Sequence, residues 1–335
     1  MLMRLAVLLA LLLGIGAAEA QEKKKVVITQ ASEGFLYVPI YVARAKNYFA
    51  AEGLEVEIIV AKGGAAALTA VLGGNADVYA GLPATAIEAR QKGQKVKVFG
   101  AVMTQYASNV VLQAEVAKKA GLTESSPTAD RLKALKGLRI GITGPGSATD
   151  QLMRYFARTA GLDPDRDLTI VPIGAAGPML AAFAQKRIDA FSLSSPTSDT
   201  AVVKNGAFML LDLTRGGYEP LRDFLYITLI ARDEWLDKNP ETATRLVRGL
   251  AKAEKLMRER PEDARNALRS FFEKTDEAVF DAALKSNLPA YPASPRVDPV
   301  GIERNLDFSE ATEGKRPQLS VEELYTNKFV DAAEK

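Results

Sequence analysis

The sequence of 335 residues contains neither cysteine nor histidine. The lack of cysteine excludes disulfides, iron–sulfur clusters and thiol nucleophiles. The lack of histidine excludes catalytic triads that use imidazole as the base, and the two absences together remove the usual zinc ligands. Catalysis by a pair of carboxylates is not excluded, but no pair of Asp or Glu residues stands out from the surface charge. We therefore expect a protein that is not an enzyme and that has no metal and no cofactor.

An excess of charge of one sign is also missing. Lys and Arg number 43 and Asp and Glu number 41, which gives a formal net charge of +2. So small an excess gives no electrostatic reason to expect nucleic acid as a partner. Hydrophobic residues make up 47% and charged residues 25%, which is typical of a globular protein.

The longest apolar run lies near the N-terminus and is shorter than the roughly 20 residues that span a bilayer. It occupies residues 5–13 behind Arg4, and Ala18-Glu19-Ala20 follows it. This order is typical of a cleavable signal peptide. We expect residues 1–20 to be removed and the mature chain to be periplasmic. Because Gln21 and not Cys follows the cleavage site, no lipid anchor is expected.

Short apolar segments alternate with segments of helical periodicity over much of the chain, and Gly or Pro residues separate them. Strands are predicted at residues 26–28, 55–60, 77–80, 96–102, 138–142 and 168–171, and helices at 38–50 and 64–72, from Pro83, and at 148–159. Such alternation predicts an α/β fold with mainly parallel sheets flanked by helices. From about residue 228 the pattern is mostly helical.

The middle of the chain repeats the pattern of its beginning. Gly161, Asp189 and Pro196 match Gly53, Asp77 and Pro83, with offsets of 108, 112 and 113 residues. The nearly constant offset predicts two lobes of similar fold.

The predicted strand–helix loops are rich in Gly, Ser, Thr and Ala. They are residues 32–37, 63–64, 82–85, 104–106, 144–149, 174–177 and 194–197. In an open parallel sheet, ligands bind beyond the carboxyl ends of the strands, where helix N-termini favour negative charge. Helix caps and turns alone would explain the composition of any one of these loops. If the loops of both lobes face one cleft, they suit a small anion without needing Lys or Arg.

Aromatic residues lie close to these loops. Phe35, Tyr37 and Tyr106 fall in loops and are expected to line the pocket, whereas Tyr79 and Phe191 alternate along strands and are expected in the core. No P-loop, no G-x-G-x-x-G motif and no S-x-x-K motif is present.

Several ordered motifs resemble those of the nitrate/sulfonate/taurine-binding family of periplasmic substrate-binding proteins of ABC transporters. A related branch of the superfamily binds pyrimidines for thiamine supply. The motifs are VPIYVA from residue 38, YFAAEGLEV from 48, ADV from 76, LRIG from 138, IDA from 188 and LYTNKFV from 324. One relative in the superfamily makes the thiamine pyrimidine with an active-site histidine. That chemistry cannot carry over, because this sequence has no histidine.

The resemblance implies the two-lobed fold of type II periplasmic binding proteins, with the ligand cleft between lobes that close by a hinge motion. Residues 21–112 and 216–335 would form the first lobe and residues 113–215 the second, with crossings near residues 110–115 and 213–226. The loop analysis and the resemblance together give these candidate ligand residues: Ser32, Phe35, Tyr37, Gly64, Pro83, Ala84, Thr85, Thr104, Tyr106, Gly146, Ser147, Ala148, Gly174, Ser195, Pro196 and Tyr226.

The sequence thus predicts a monomeric solute receptor that binds a small organic anion, a sulfonate or carboxylate, and docks on a membrane permease. An uncharged aromatic or pyrimidine ligand, stacked on Phe35, Tyr37 and Tyr106, is the alternative. A secreted hydrolase that uses carboxylates and a sensor subunit for a signalling receptor also stay open. The sequence leaves open whether a basic side chain such as Arg44, Arg90 or Arg154 enters the cleft.

Overall fold

The computed structural model describes residues 23–61 and 63–335. The predicted signal peptide therefore lies outside the described residues. Within them, ten strands form two sheets of five strands each. The strands are β1 Lys24–Gln30, β2 Leu54–Val60, β3 Val78–Gly81, β4 Val96–Met103, β5 Ser108–Leu112, β6 Arg139–Ile142, β7 Thr169–Pro172, β8 Ala190–Ser194, β9 Phe208–Leu211 and β10 Ile227–Arg232.

The two sheets have the same topology. The first has the order β2-β1-β3-β10-β4 and the second the order β7-β6-β8-β5-β9. In each sheet four strands run in one direction, and the remaining strand, β10 or β5, is antiparallel to both its neighbours. The predicted α/β fold with two similar lobes is therefore confirmed. We call each sheet with its flanking helices the first and the second lobe.

Helices cover both sheets. In the first lobe they are α1 Val38–Ala45, α2 Tyr48–Ala51, α3 Gly64–Leu72, α4 Pro83–Gln91, α10 Asp233–Lys238, α11 Pro240–Glu259, α12 Pro261–Leu268, α13 Glu277–Asn287, α14 Pro299–Glu313, α15 Val321–Leu324 and α16 Lys328–Ala333. In the second lobe they are α5 Ala114–Lys119, α6 Thr128–Lys133, α7 Ala148–Thr159, α8 Ala176–Ala184 and α9 Thr197–Asn205.

The matching glycines have the same local role in both lobes. Gly53 and Gly161 have φ of 72° and 74° and connect a helix to the edge strand that follows. A residue with a Cβ atom is disfavoured in this left-handed conformation. The internal repeat seen in the sequence therefore reflects the same helix-to-strand turn made twice.

The chain crosses between the lobes at two places. It passes from β4 to β5 through residues 104–107 and returns from β9 to β10 through residues 212–226. The first crossing comes earlier than expected. The resemblance implies that residues 108–112 belong to the first lobe, but β5 pairs with β8 and β9 and so belongs to the second sheet.

One local expectation differs from the structure. The helix predicted over residues 38–50 is broken, because Asn47 adopts a left-handed conformation with φ of 57° between α1 and α2. The helix predicted from Pro83 begins there, and α7 spans the 148–159 range that the sequence indicated. No helix among the described residues is both long and apolar enough to cross a bilayer.

Candidate functional site

The lobes meet through backbone at the carboxyl ends of their parallel strands. The Phe35 amide of the first lobe donates a hydrogen bond of 2.9 Å to the carbonyl oxygen of Ser195 in the second. A Cβ atom on Gly63 would lie 3.0 Å from Cα of Gly144 across the boundary. Loops of both lobes therefore face one another, as the sequence predicted for a shared site.

Tyr79 projects from β3 toward this boundary. Its ring lies over Gly81, two residues further along the strand on the same face, where a Cβ atom would overlap Cζ and the hydroxyl of Tyr79. The Tyr79 hydroxyl reaches the second lobe, because a Cβ atom on Gly64 would lie 2.8 Å from it and 3.3 Å from Cα of Ser147. The absence of a side chain at Gly81 is therefore what allows Tyr79 to reach the boundary.

We expect Gly81→Ala to displace Tyr79 and to weaken solute binding by roughly tenfold or more, with about 1–3 kcal/mol lost in folding stability from overpacking. Titration calorimetry and thermal unfolding would measure the two effects. Gly100→Ala on β4 of the same sheet is the control, because its Cβ atom would lie an ordinary 3.4 Å from Leu229. Equal affinities for the two variants would contradict this role of Tyr79.

Three serines lie close together on the second sheet. Ser194 lies opposite Ser108 in the β5–β8 pairing, and Ser192 is two residues along the same strand, so all three side chains share a face. The hydroxyls of Ser108 and Tyr226 are 2.5 Å apart. Those of Ser192 and Ser194 have no hydrogen-bond partner among the described residues, and that of Thr85 in the first lobe makes no well-aligned hydrogen bond and lies beside the Tyr79 hydroxyl. Buried hydroxyls from both lobes are thus left without a well-aligned hydrogen bond.

Neutral tyrosines surround these hydroxyls. Burial raises the pKa of Tyr37 to about 12, and it raises the pKa values of Tyr79 and Tyr226 further above their ordinary range. The hydroxyls of Tyr37, Tyr79 and Tyr226 also influence each other electrostatically. All three stay protonated at physiological pH, so they can donate as well as accept hydrogen bonds.

No basic side chain is buried in this region. Among the described residues, Asp150 and Glu254 are the buried charged residues, and no Lys or Arg is buried. Asp150 lies in the first turn of α7, where its carboxylate accepts a hydrogen bond of 2.8 Å from the Gly146 amide. In this conformation the amide expected to bind an anion is therefore bonded to a carboxylate of the protein.

The profile of the NMT1-like family matches residues 19–270, which is most of the chain. This chain belongs to the NMT1-like family. The resemblance noted in the sequence is therefore confirmed at the level of the family.

Relatives of this NMT1-like protein include binding proteins of bacteria. The putative binding protein YtlA of Bacillus subtilis is 22% identical over 312 residues, covering 92% of this chain and 89% of that protein. The bicarbonate-binding protein CmpA of Synechococcus elongatus is 28% identical over 235 residues, covering 66% of this chain and 51% of that protein. The match thus spans about half the length of CmpA.

Solved structures share the two-lobed fold. A protein of Bordetella bronchiseptica has a TM-score of 0.83 and 25% identity, covering 93% of this chain and 98% of its own. The alkanesulfonate-binding protein SsuA of Xanthomonas axonopodis, bound to MOPS, has a TM-score of 0.67 and 16% identity, with coverage of 93% and 98%. The predicted periplasmic-binding-protein fold is therefore confirmed for this NMT1-like chain.

Many predicted ligand residues lie at or beside the boundary. They are Gly64, Tyr106, Gly146, Ser147, Ala148, Ser195, Pro196 and Tyr226. Ser32 and Tyr37 follow β1, and Pro83, Ala84 and Thr85 form the first turn of α4, where the Ala84 amide donates to Oδ1 of Asn305 in the same lobe. Tyr106 links the lobes, because its hydroxyl donates a hydrogen bond of 2.7 Å to the carbonyl oxygen of Ala148. Its ring stacks on Tyr226 at 4.1 Å, so that ring face is occupied by protein.

Three predicted residues have other surroundings. The Phe35 side chain packs in the core against Phe272 and Phe280, with ring centroids 4.9 and 5.4 Å away. Thr104 is bonded to the backbone of Ala290, and Gly174 faces the carbonyl oxygen of Thr143 within its own lobe. Phe35 therefore contributes its amide to the boundary and not its ring.

Sequence reasoning placed Gly34 and Ser194 in candidate loops but did not select them as ligand residues, and it missed Ser108 and Ser192. Tyr79 lies in the core, as expected for an aromatic residue of a strand, and its hydroxyl also extends past the end of β3. The spacing of Ser192 and Ser194, two apart in an apolar strand, was the available signal, since it places both on one face. Among the described residues no His, Cys, Asp and Glu side chains cluster in threes or more to hold a metal ion.

Proposed function

We propose that this chain is a non-enzymatic, periplasmic solute receptor of an ABC importer, which binds a small organic anion between its lobes and delivers it to the permease. The observation that carries the proposal is the set of buried hydroxyls without a well-aligned hydrogen bond, Thr85 from one lobe and Ser192 and Ser194 from the other. The names of CmpA and SsuA support the general class of function.

The energetics of these hydroxyls favour a bound solute. Burying a hydroxyl without a hydrogen bond costs about 1–3 kcal/mol. A solute whose oxygens pair with hydroxyls of both lobes removes this cost only when the lobes are closed, so binding and closure are linked. The neutral tyrosines and the helix N-termini can stabilise negative charge without a buried cation.

An uncharged ligand such as a pyrimidine is the second candidate. It is favoured by the absence of a buried Lys or Arg among the described residues and by the carboxylate of Asp150 at the Gly146 amide. Asp150 would repel an anion near α7, and its ion pair with Arg154, with Nε and Oδ1 3.1 Å apart, reduces that repulsion only in part.

Titration calorimetry against sulfonates, carboxylates, nitrate, bicarbonate and uncharged pyrimidines tests the proposal. We expect binding of at least one sulfonate or carboxylate, without any product appearing over time. Exclusive binding of a pyrimidine would establish the second candidate. No binding at all, or turnover of a bound compound, would refute the function as a receptor.

Removing a hydroxyl that has no hydrogen-bond partner should change solute affinity and folding stability differently. We expect Ser194→Ala to leave the free energy of unfolding of the free protein unchanged or slightly raised, because no hydrogen bond is lost. Affinity for the solute found by calorimetry should fall by about 1 kcal/mol or more. Thr169→Val at the exposed start of the edge strand β7 is the control and should change neither quantity. A decrease in stability without a decrease in affinity would assign Ser194 a structural role.

A further inference from the structure

A groove of 740 Å³ opens between the lobes beside the buried hydroxyls. The second lobe contributes the first turns of α8 and α9, including Gly177 and Thr197, and the first lobe contributes Gly34 and residues 270–276. We call it the interlobe groove. Gly34 separates the groove from the buried hydroxyls of Ser192 and Ser194, which we call the hydroxyl cluster, since a Cβ atom on Gly34 would lie 2.5 Å from the Ser194 hydroxyl oxygen. The groove and the hydroxyl cluster are therefore neighbouring parts of one interlobe region.

The size of the groove indicates the size of its occupant. Clefts that bury drug-sized ligands measure about 300–1,000 Å³. An oxyanion of four heavy atoms, such as bicarbonate, has roughly the volume of two water molecules and would fill about a tenth of the groove. Such an ion would leave the apolar part of the groove in contact with water.

The walls of the interlobe groove consist of an apolar part and a polar part. Phe271, Phe272 and Leu180 supply an apolar surface, and Phe271 is held in place by stacking on Tyr41 with ring centroids 4.7 Å apart. The groove is also lined by the first turns of α8 and α9, neither of which has a side-chain cap. The amides at these two helix ends favour a negatively charged or strongly accepting group.

The charged side chains at the rim of the groove include both acidic and basic residues. Lys204 of α9 pairs with Asp276 at the start of α13, with Nζ and Oδ2 3.1 Å apart, and so joins the two lobes beside the groove. Glu33, Glu273 and Lys274 are exposed at the rim. Selectivity inside the groove therefore depends on its shape and its apolar wall more than on net charge.

We infer that the solute of this receptor is an organic anion with a bulky apolar body that packs against Phe271 and Phe272, and not a compact inorganic oxyanion. The inference rests on the proposed function and narrows its ligand class. The acidic group would lie toward the α9 terminus and the hydroxyl cluster, which adjoin each other at residues 194–197, with the apolar body in the interlobe groove between α8 and Phe271.

Gly177 offers a way to fill the groove without disturbing the fold. A Cβ atom added there meets nothing within 4 Å, and Gly177 is in the first turn of α8. We expect wild-type protein to bind benzenesulfonate at least tenfold more tightly than nitrate or bicarbonate. Gly177→Leu should weaken benzenesulfonate by roughly tenfold or more and change methanesulfonate affinity little, because the added side chain occupies space that only the larger ligand needs.

Ala184→Leu, at the exposed other end of α8, is the matched control and should bind both sulfonates as wild type does. Calorimetry with benzenesulfonate, methanesulfonate, nitrate and bicarbonate on wild type and on the two variants distinguishes the outcomes. Tighter binding of nitrate or bicarbonate than of benzenesulfonate, or equal benzenesulfonate affinity in Gly177→Leu and wild type, would overturn the inference and leave the receptor function intact. No binding of any sulfonate, carboxylate, oxyanion or pyrimidine to wild type would refute both.

Discussion

Replacing Gly34 by alanine should weaken solute affinity by roughly tenfold to hundredfold, because it prevents the lobes from closing fully. Gly34 has φ of 154° and ψ of −179°, a region used almost only by glycine, and another residue there costs about 1–3 kcal/mol. The new Cβ atom would also lie 2.5 Å from the hydroxyl oxygen of Ser194 and 3.3 Å from the carbonyl oxygen of Ser195. The adjacent Phe35 amide would then lose its hydrogen bond to Ser195.

Calorimetry would measure the affinity, and small-angle scattering with saturating solute would show a larger radius of gyration in Gly34→Ala than in wild type. Gly93→Ala is the matched control. Gly93 has φ of 82°, but its Cβ atom would meet nothing within 4 Å, so it reports backbone strain without a lobe contact. If both variants bind and compact as wild type does, closure does not depend on the contact at Gly34.

The repeated part of the fold was predictable because each lobe uses the same local signals. Gly53 and Gly161 end helices in both lobes, and Pro83 begins α4 as the periodicity indicated. Hydrophobic alternation located the parallel strands, since a strand that is covered on both faces has few polar residues. These signals are local in sequence, so no knowledge of long-range pairing was needed.

The crossing between the lobes was not predictable in the same way. Ser108–Leu112 would form a strand in whichever lobe contained it. Only its pairing with β8 and β9 assigns it to the second sheet. The break at Asn47 had a weak signal, because Asn tolerates the left-handed conformation, but the apolar pattern continues through it. Both differences come from tertiary contacts that residue patterns do not record.

The site was predictable as a set of loops and less so as a set of side chains. Small residues at strand ends indicated where the lobes meet, and Gly64 and Ser147 do lie there. The role of Asp150 could not be read from its position, since an acidic residue in a first turn is a common helix stabiliser. Only the structure shows that its carboxylate is bonded to the Gly146 amide.

Replacing Glu254 by methionine should stabilise the protein by about 1–3 kcal/mol near neutral pH. Glu254 lies on the buried face of α11 and is 1% exposed, and neither carboxyl oxygen has a hydrogen-bond partner among the described residues. Methionine has a similar shape and no polar group to desolvate. Urea unfolding of the wild type and of Glu254→Met would measure the difference in the free energy of unfolding.

The stabilisation should grow with pH. Burial raises the pKa of Glu254 well above its ordinary value of 4.5, against a smaller opposing influence of Arg258. The folded state therefore holds this proton more tightly than the unfolded state does, so wild type loses stability as pH rises from about 4.5 toward the folded pKa. Glu254→Met should lack this loss. The exposed Glu259→Gln on the same helix is the control and should follow wild type. Parallel stability profiles of wild type and Glu254→Met between pH 4.5 and pH 8 would show that the buried carboxyl does not destabilise the fold.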